Sequence, residues 1–325
     1  MPDYVFTVRN KRGEVFGSDA GMTRFLRVPE TDLTTAPHHQ IRKGAWFQDV
    51  LAEGTRRIDP DTGQRVGDIV IYVHGFNNST EKLLSRHRKI KASFARQGFQ
   101  GVVVSFDWPA ADTSLNYLED RWDAKQTANQ LVKEGIASFV KLQTPDCEVN
   151  LHLMAHSMGC YVVREAFDDA DDRRSIAAVS WSVSQILLFG ADVSVGSLAA
   201  ESAKSSSLYR HCNRLTNYFN PFDAALSLSN VKRIGVSPRA GRVGLPAHVP
   251  AKAVNVDCGA HYTAPRHKFE DSHFAGHRWY FDDDVFLQDA YLTILGSTDR
   301  NRLPTRLGRD SNLSLVAPVV GTGQG

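Results

Sequence analysis

No long hydrophobic run interrupts the 325 residues. Apolar residues nowhere accumulate over the roughly 18–20 positions that a membrane-spanning helix needs. The opening stretch MPDYVFTVRNKRG holds no apolar core of the secretory-signal kind. Cysteine is scarce: Cys147, Cys160, Cys212 and Cys258 are widely separated and form no C-x-x-C pair, so the expectation is a reduced, cytoplasmic protein rather than a disulfide framework. A charge excess of either sign is also missing. Lys+Arg number 38 against 36 Asp+Glu, and dedicated binders of nucleic acid or membrane surfaces carry a basic surplus that this chain lacks. What remains, 42% hydrophobic and 23% charged, is the balance of a folded globular protein. With no internal repeat, residues 1–296 read as one domain and 297–325 as a polar, partly disordered tail.

Strand-like and helix-like patterns alternate along the chain. Residues 4–9 and 14–17 flank a turn and predict an antiparallel hairpin. Buried β-branched runs follow at 68–73 and 101–106, with strands also expected at 148–154, 184–189, 214–219 and, last, 252–256. Between them, Trp46, Phe47, Val50 and Leu51, then Leu83, Leu84, His87, Ile90 and Phe94, then Leu131, Ile136, Phe139 and Val140 recur at helical spacing. Asp284 is placed to cap a final helix. Lys82, Arg86, Arg88, Lys89 and Lys91 read as a solvated helix face. The alternation predicts an α/β fold, a mostly parallel central sheet with helices on both faces.

Two motifs carry chemistry. LHLMAHSMGCYVV (151–163) sets Ser157 between a strand and an apolar helix, with Ala155 and Gly159 two residues to either side. A serine on a tight strand-to-helix turn has strained backbone angles, and its neighbours two away crowd each other, so both must be small. The bland alternative is a serine that caps a helix. VHGFNNS (73–79) follows an earlier buried strand. Its His-Gly bend would aim the amide of Phe76 at the nucleophile, making an oxyanion hole with the amide of Met158.

HGFNN (74–78), SFDWP (105–109) and AHSMG (155–159) together resemble the α/β-hydrolase fold, and within it a bacterial branch carrying HGFN and AHSMG signatures. The resemblance runs over residues 4–295. It implies a serine hydrolase of esters or related acyl bonds, with the triad in the order Ser, acid, His and no metal or organic cofactor. The acid then follows the second strand after the elbow, where Asp223 stands behind a Pro-marked turn; Asp192, one strand earlier, competes. The base belongs on a loop near the last helix. His277, which opens HRWYFDD, is favoured over His273, with His261 and His267 left to other roles. A zinc reading of Cys258, His261, His267, His273 and His277 matches no established ligand spacing.

The expected activity is acyl transfer to water from a small-molecule acyl substrate. An acyltransferase or thioesterase on the same triad, or a non-catalytic binding module, are the alternatives. Trp108, Tyr117, Trp122 and Trp279 are candidates either for an apolar pocket or for core packing. Residues 116–142 and 235–250 are candidates for a lid.

Overall fold

The computed structural model describes residues 1–110, 117–142, 147–177, 180–231, 237–264 and 274–318. The chain opens with the predicted hairpin, β1 (Asp3–Arg12) and β2 (Val15–Val28). β2 runs well beyond its predicted end: Gly17, Ser18, Asp19 and Gly21 disguise its strand character, but pairing with β1 overrides local preference. β3 (Gln40–Ile41) edges β2, α1 (Lys43–Gly54) follows, and β4 (Arg57–Ile58) pairs with β5 (Arg65–Val73). Next come α2 (Thr80–Arg96), β6 (Val102–Asp107) and α3 (Tyr117–Gln130), which continues through a π-helical segment, Leu131–Ile136, into α4 (Ala137–Val140). β7 (Cys147–His156) leads into α5 (Met158–Asp172), then α6 (Arg174–Ala177), β8 (Val183–Phe189) and α7 (Ala203–Arg210). β9 (Cys212–Phe219), α8 (Ala224–Val231), α9 (Ala240–Val243), β10 (Ala253–Asp257) and α10 (Gly259–Thr263) precede α11 (Ala275–Arg278) and α12 (Asp284–Leu295). β11 (Arg306–Arg309) and β12 (Asn312–Leu315) close the chain.

These strands make one sheet in the order β11-β12-β10-β9-β8-β7-β5-β6-β1-β2-β3, parallel from β12 through β1 and antiparallel at both edges. Side-chain alternation on β5 explains the two cores. Ile69, Ile71 and Val73 pack with Trp46, Phe47, Phe139 and Phe167, whereas Val70 and Tyr72 pack with Leu83, Phe94, Phe286 and Leu287. Both faces are thus covered, α1, α5 and α7 on one and α2 and α12 on the other. Among the described residues no helix is long and apolar enough to cross a membrane.

Several sequence expectations change. Part of the supposed tail is structural: β12 extends the sheet beside β10, with Val256 paired to Leu313, and β11 folds back on it. Arg306, a polar residue in a short and otherwise unremarkable run, is fully buried against Asp289 on α12, with Nη2 2.6 Å from Oδ1. Tyr218 and Thr305 donate to the same carboxylate. The cap of α12 is Asp283 rather than Asp284; its Oδ1 accepts the Phe286 amide at 2.7 Å. Nor is the basic face of α2 simply solvated. Arg88 and Lys91 clamp the buried Asp3 at 2.6 and 2.8 Å, Lys89 pairs with Asp282, and Arg86 turns to Asn78.

Arg306→Met should leave the Asp289 carboxylate buried without its cation and destabilise the fold by about 3–5 kcal/mol. A urea midpoint unchanged from wild type would show that the C-terminal hairpin contributes nothing to the core.

Candidate active site

The turn between β7 and α5 holds Ser157 at φ 56° and ψ −124°. This left-handed backbone is uncommon for a residue with a Cβ and costs about 1–3 kcal/mol. Surrounding groups hold it in place. The Ser157 amide donates to the Phe189 carbonyl at 3.1 Å, and its carbonyl accepts from Cys160 and Asp192, each at 3.1 Å. Crowding explains the small flanking residues. A Cβ on Gly159 would lie 2.4 Å from the Val73 carbonyl oxygen and 2.5 Å from that of His74; one on Gly75 would lie 2.7 Å from the Ser157 Cβ. The elbow and the His-Gly loop therefore pack into each other at the ends of β5 and β7.

Although Ser157 stands at the N-terminus of α5, its side chain makes no cap. Its Oγ lies 2.8 Å from His277 Nε2, and His277 Nδ1 lies 2.6 Å from Asp223 Oδ2. An ionised carboxylate only accepts, so Nδ1 carries the proton, leaving Nε2 to accept from the Ser157 hydroxyl. Asp223 comes from the turn after β9, where its Oδ1 also accepts the Leu226 amide at 3.0 Å. Asp223 thus caps α8 and holds the His277 imidazole at once. Asp223 is fully buried and Ser157 nearly so, while His277 is partly open to solvent.

The competing residues go elsewhere. Asp192 pairs with Arg239 at 3.1 Å, and His261 lies 3.0 Å from Asp283. His267 and His273 lie outside the described residues. Cys258 is buried with its thiol toward the Val256 carbonyl, and Cys160 and Cys212 are likewise buried and free. Trp108 and Trp279 are core residues, 0% and 2% exposed; the side chains of Tyr117 and Trp122 are outside the described set. Within the 235–250 segment, α9 is bonded to the chain after β8, with the Ala240 and Gly241 amides each 2.9 Å from the carbonyls of Val193 and Ala191. Phe76 is half-buried against the core, and Met158 opens α5.

A buried polar network supports the His-Gly loop. Arg9 donates to Asp107 at 2.8 Å and to the Asn78 carbonyl at 2.9 Å, Thr7 donates to Asp107 at 2.7 Å, and Asn78 donates to the Gly75 carbonyl at 2.6 Å. His74 stacks on Trp108, with centroids 5.4 Å apart and planes within 7°, and its carbonyl accepts the indole N–H at 2.8 Å. The HGFNN and SFDWP motifs are thus one scaffold. Burial raises the Asp107 carboxyl, but Arg9 and His74 outweigh that and hold it at about 2.

Sequence reasoning missed two supports. Asn220 is wholly buried and donates to the Gly276 carbonyl at 2.9 Å, tying the Asp223 loop to the segment that carries His277. Its only signal is a polar residue before Pro221. His156, beside Ser157, reaches the His277 carbonyl at 2.8 Å. Burial holds His74 below the usual imidazole range, and burial together with His277 holds His156 well below it.

Gly159→Ala should destabilise the fold by about 1–3 kcal/mol, because neither carbonyl in its way can move independently of β5; an unchanged melting temperature would contradict the crowding. His74 and His156 stay neutral when folded but take up protons when unfolded, so below about pH 6.5 the unfolded chain binds more protons and stability falls. The urea midpoint should be lower at about pH 5.5 than at about pH 7.5. Asp107 is still ionised there, and its contribution fades only between about pH 4 and 2.

Comparisons with known proteins add the family. A protein of Nostoc sp., uncharacterized protein alr1448, is 35% identical over 60 residues, 18% of this chain and 15% of that protein's length. Among solved structures, one from work on the metagenome-derived lipolytic enzymes LipS and LipT aligns over 72% of this chain and 94% of its own, at 12% identity and a TM-score of 0.35. Aspergillus fumigatus lipase B aligns over 91% of this chain and 66% of its own, at 12% identity and a TM-score of 0.42. A cutinase-like protein from Cryptococcus sp. aligns over 75% of this chain and 100% of its own, at 15% identity and a TM-score of 0.33. Residues 55–275, which include the His-Gly loop, Ser157 and Asp223 and stop two residues short of His277, match the alpha/beta hydrolases of unknown function (DUF900), and the chain belongs to that family.

Proposed function

We propose that this hydrolase cleaves carboxylic ester or related acyl bonds of a small-molecule substrate through Ser157, His277 and Asp223. The observation that carries the reading is the continuous relay from Ser157 Oγ to His277 Nε2 at 2.8 Å and from His277 Nδ1 to Asp223 Oδ2 at 2.6 Å. His277 takes the hydroxyl proton as Oγ attacks the acyl carbon, and Asp223 stabilises the imidazolium that forms. The tetrahedral oxyanion is received by the amides of Met158 and Phe76. Two features support these donors: Met158 opens α5, where unpaired amides and the positive end of the helix dipole converge, and Phe76 follows the glycine that packs against Ser157. The protonated His277 then passes its proton to the leaving group, and the acyl group stays on Oγ. In the second half His277 deprotonates water, which attacks the acyl-enzyme, and Ser157 recovers its proton as the acid departs.

The test is hydrolysis of p-nitrophenyl esters of graded chain length, paired with labelling by a fluorophosphonate probe. Ser157→Ala should abolish labelling and, like Asp223→Asn, lower kcat by roughly three to four orders of magnitude. Wild-type turnover by Ser157→Ala would overturn the assignment.

A further inference from the structure

One buried histidine has no part in the relay yet touches its base. His156 is 2% exposed and its ring lies 4.8 Å from that of His277, enclosed by Phe189 at 5.2 Å and Phe281 at 5.1 Å. Nε2 lies 2.8 Å from the backbone carbonyl of His277. A carbonyl only accepts, so Nε2 carries the proton. Nδ1 is then a lone pair, and it is buried with no hydrogen-bond partner among the described residues. It faces Gly75, whose missing Cβ would sit 3.3 Å away. A second proton on this ring would be enclosed by aromatic faces and repelled by the cations Arg86 and Arg278, and by His277 in the imidazolium form that the relay creates.

We propose that His156 is a positioning residue: as a neutral imidazole it donates Nε2–H to the His277 carbonyl and so sets the backbone from which the base reaches between Ser157 and Asp223. The inference rests on the triad reading. It adds a division of labour between two neighbouring imidazoles, one that exchanges protons and one that does not. The carbonyl bond grips the main chain of α11, a single-turn helix with no side-chain cap of its own. In the same turn Asn220 holds the Gly276 carbonyl at 2.9 Å. Two consecutive carbonyls, each held by a different side chain, are thereby fixed beside the reacting ring. Losing one lets Nε2 drift from Oγ, a displacement that lowers the rate of attack without altering substrate contacts.

The test compares His156→Leu, which removes the donor, with His156→Gln, whose side-chain amide can restore it. His156→Leu should lower kcat roughly 10- to 100-fold with KM nearly unchanged, and His156→Gln should recover most of that loss. In the wild type, nitrogen NMR of the labelled imidazoles should find His156 as the neutral Nε2–H tautomer throughout the acid limb of the kcat/KM profile. That limb should fit a single ionisation. Full kcat in folded His156→Leu, a Leu and Gln pair equally impaired, or titration of His156 within the limb would each overturn the proposal. Fluorophosphonate labelling that survives Ser157→Ala would instead remove the triad reading beneath it, so the two failures are distinguishable. If the Leu variant does not fold, the Gln variant and the wild-type NMR still decide.

Discussion

The left-handed backbone of Ser157 is the constraint on which everything around it depends. Isolated, a serine at φ 56° would relax into an ordinary turn. Here it is held between β7, buried between β5 and β8, and α5, whose first turn lies against the carbonyls that end β5. The strain has a consequence that capping geometry would lack. It turns the hydroxyl away from the helix amides and toward His277, which accepts it at 2.8 Å. The amides that a capping serine would have occupied are left to α5's own N-terminus.

That arrangement needs a rigid floor, and two buried networks supply it. Beneath the His-Gly loop, Arg9, Thr7 and Asp107 draw β1 and β6 against the end of β5. At the far side of the sheet, Arg306 and Asp289 lock the C-terminal hairpin to α12. Both are fully desolvated ion pairs with additional hydrogen bonds, the condition under which a buried charge is tolerated. Neither touches the relay. Arg9 reaches the Asn78 carbonyl beside the Gly75 turn, and Arg306 reaches the Tyr218 hydroxyl on β9, the strand that leads to Asp223.

Much of this was legible from residue patterns. Buried β-branched runs mark β5 and β6, and small residues around Ser157 mark the elbow, because each signal lies within a few positions of chain. Signals were lost where a distant partner supplies the reason for a residue. β11 and β12 look like polar tail because their burial depends on β10 and Asp289. Trp108 and Trp279 read equally well as pocket or core until the stacking on His74 and the packing beneath Phe286 are seen. His156 and Asn220 are unremarkable as letters; their roles exist only against the carbonyls of His277 and Gly276.

By itself, then, the sequence determined the alternation of strands and helices, the strained elbow and the short roster of acids and histidines able to serve it, since periodicity and local sterics act over one strand or one helical turn. Which of those side chains come together belonged to the tertiary structure. Ser157 and His277 are 120 residues apart and His277 and Asp223 are 54 apart. Only the parallel topology, which gathers the ends of separate strands at one edge of the sheet, brings their side chains within hydrogen-bond reach while leading Asp192 to Arg239 and His261 to Asp283.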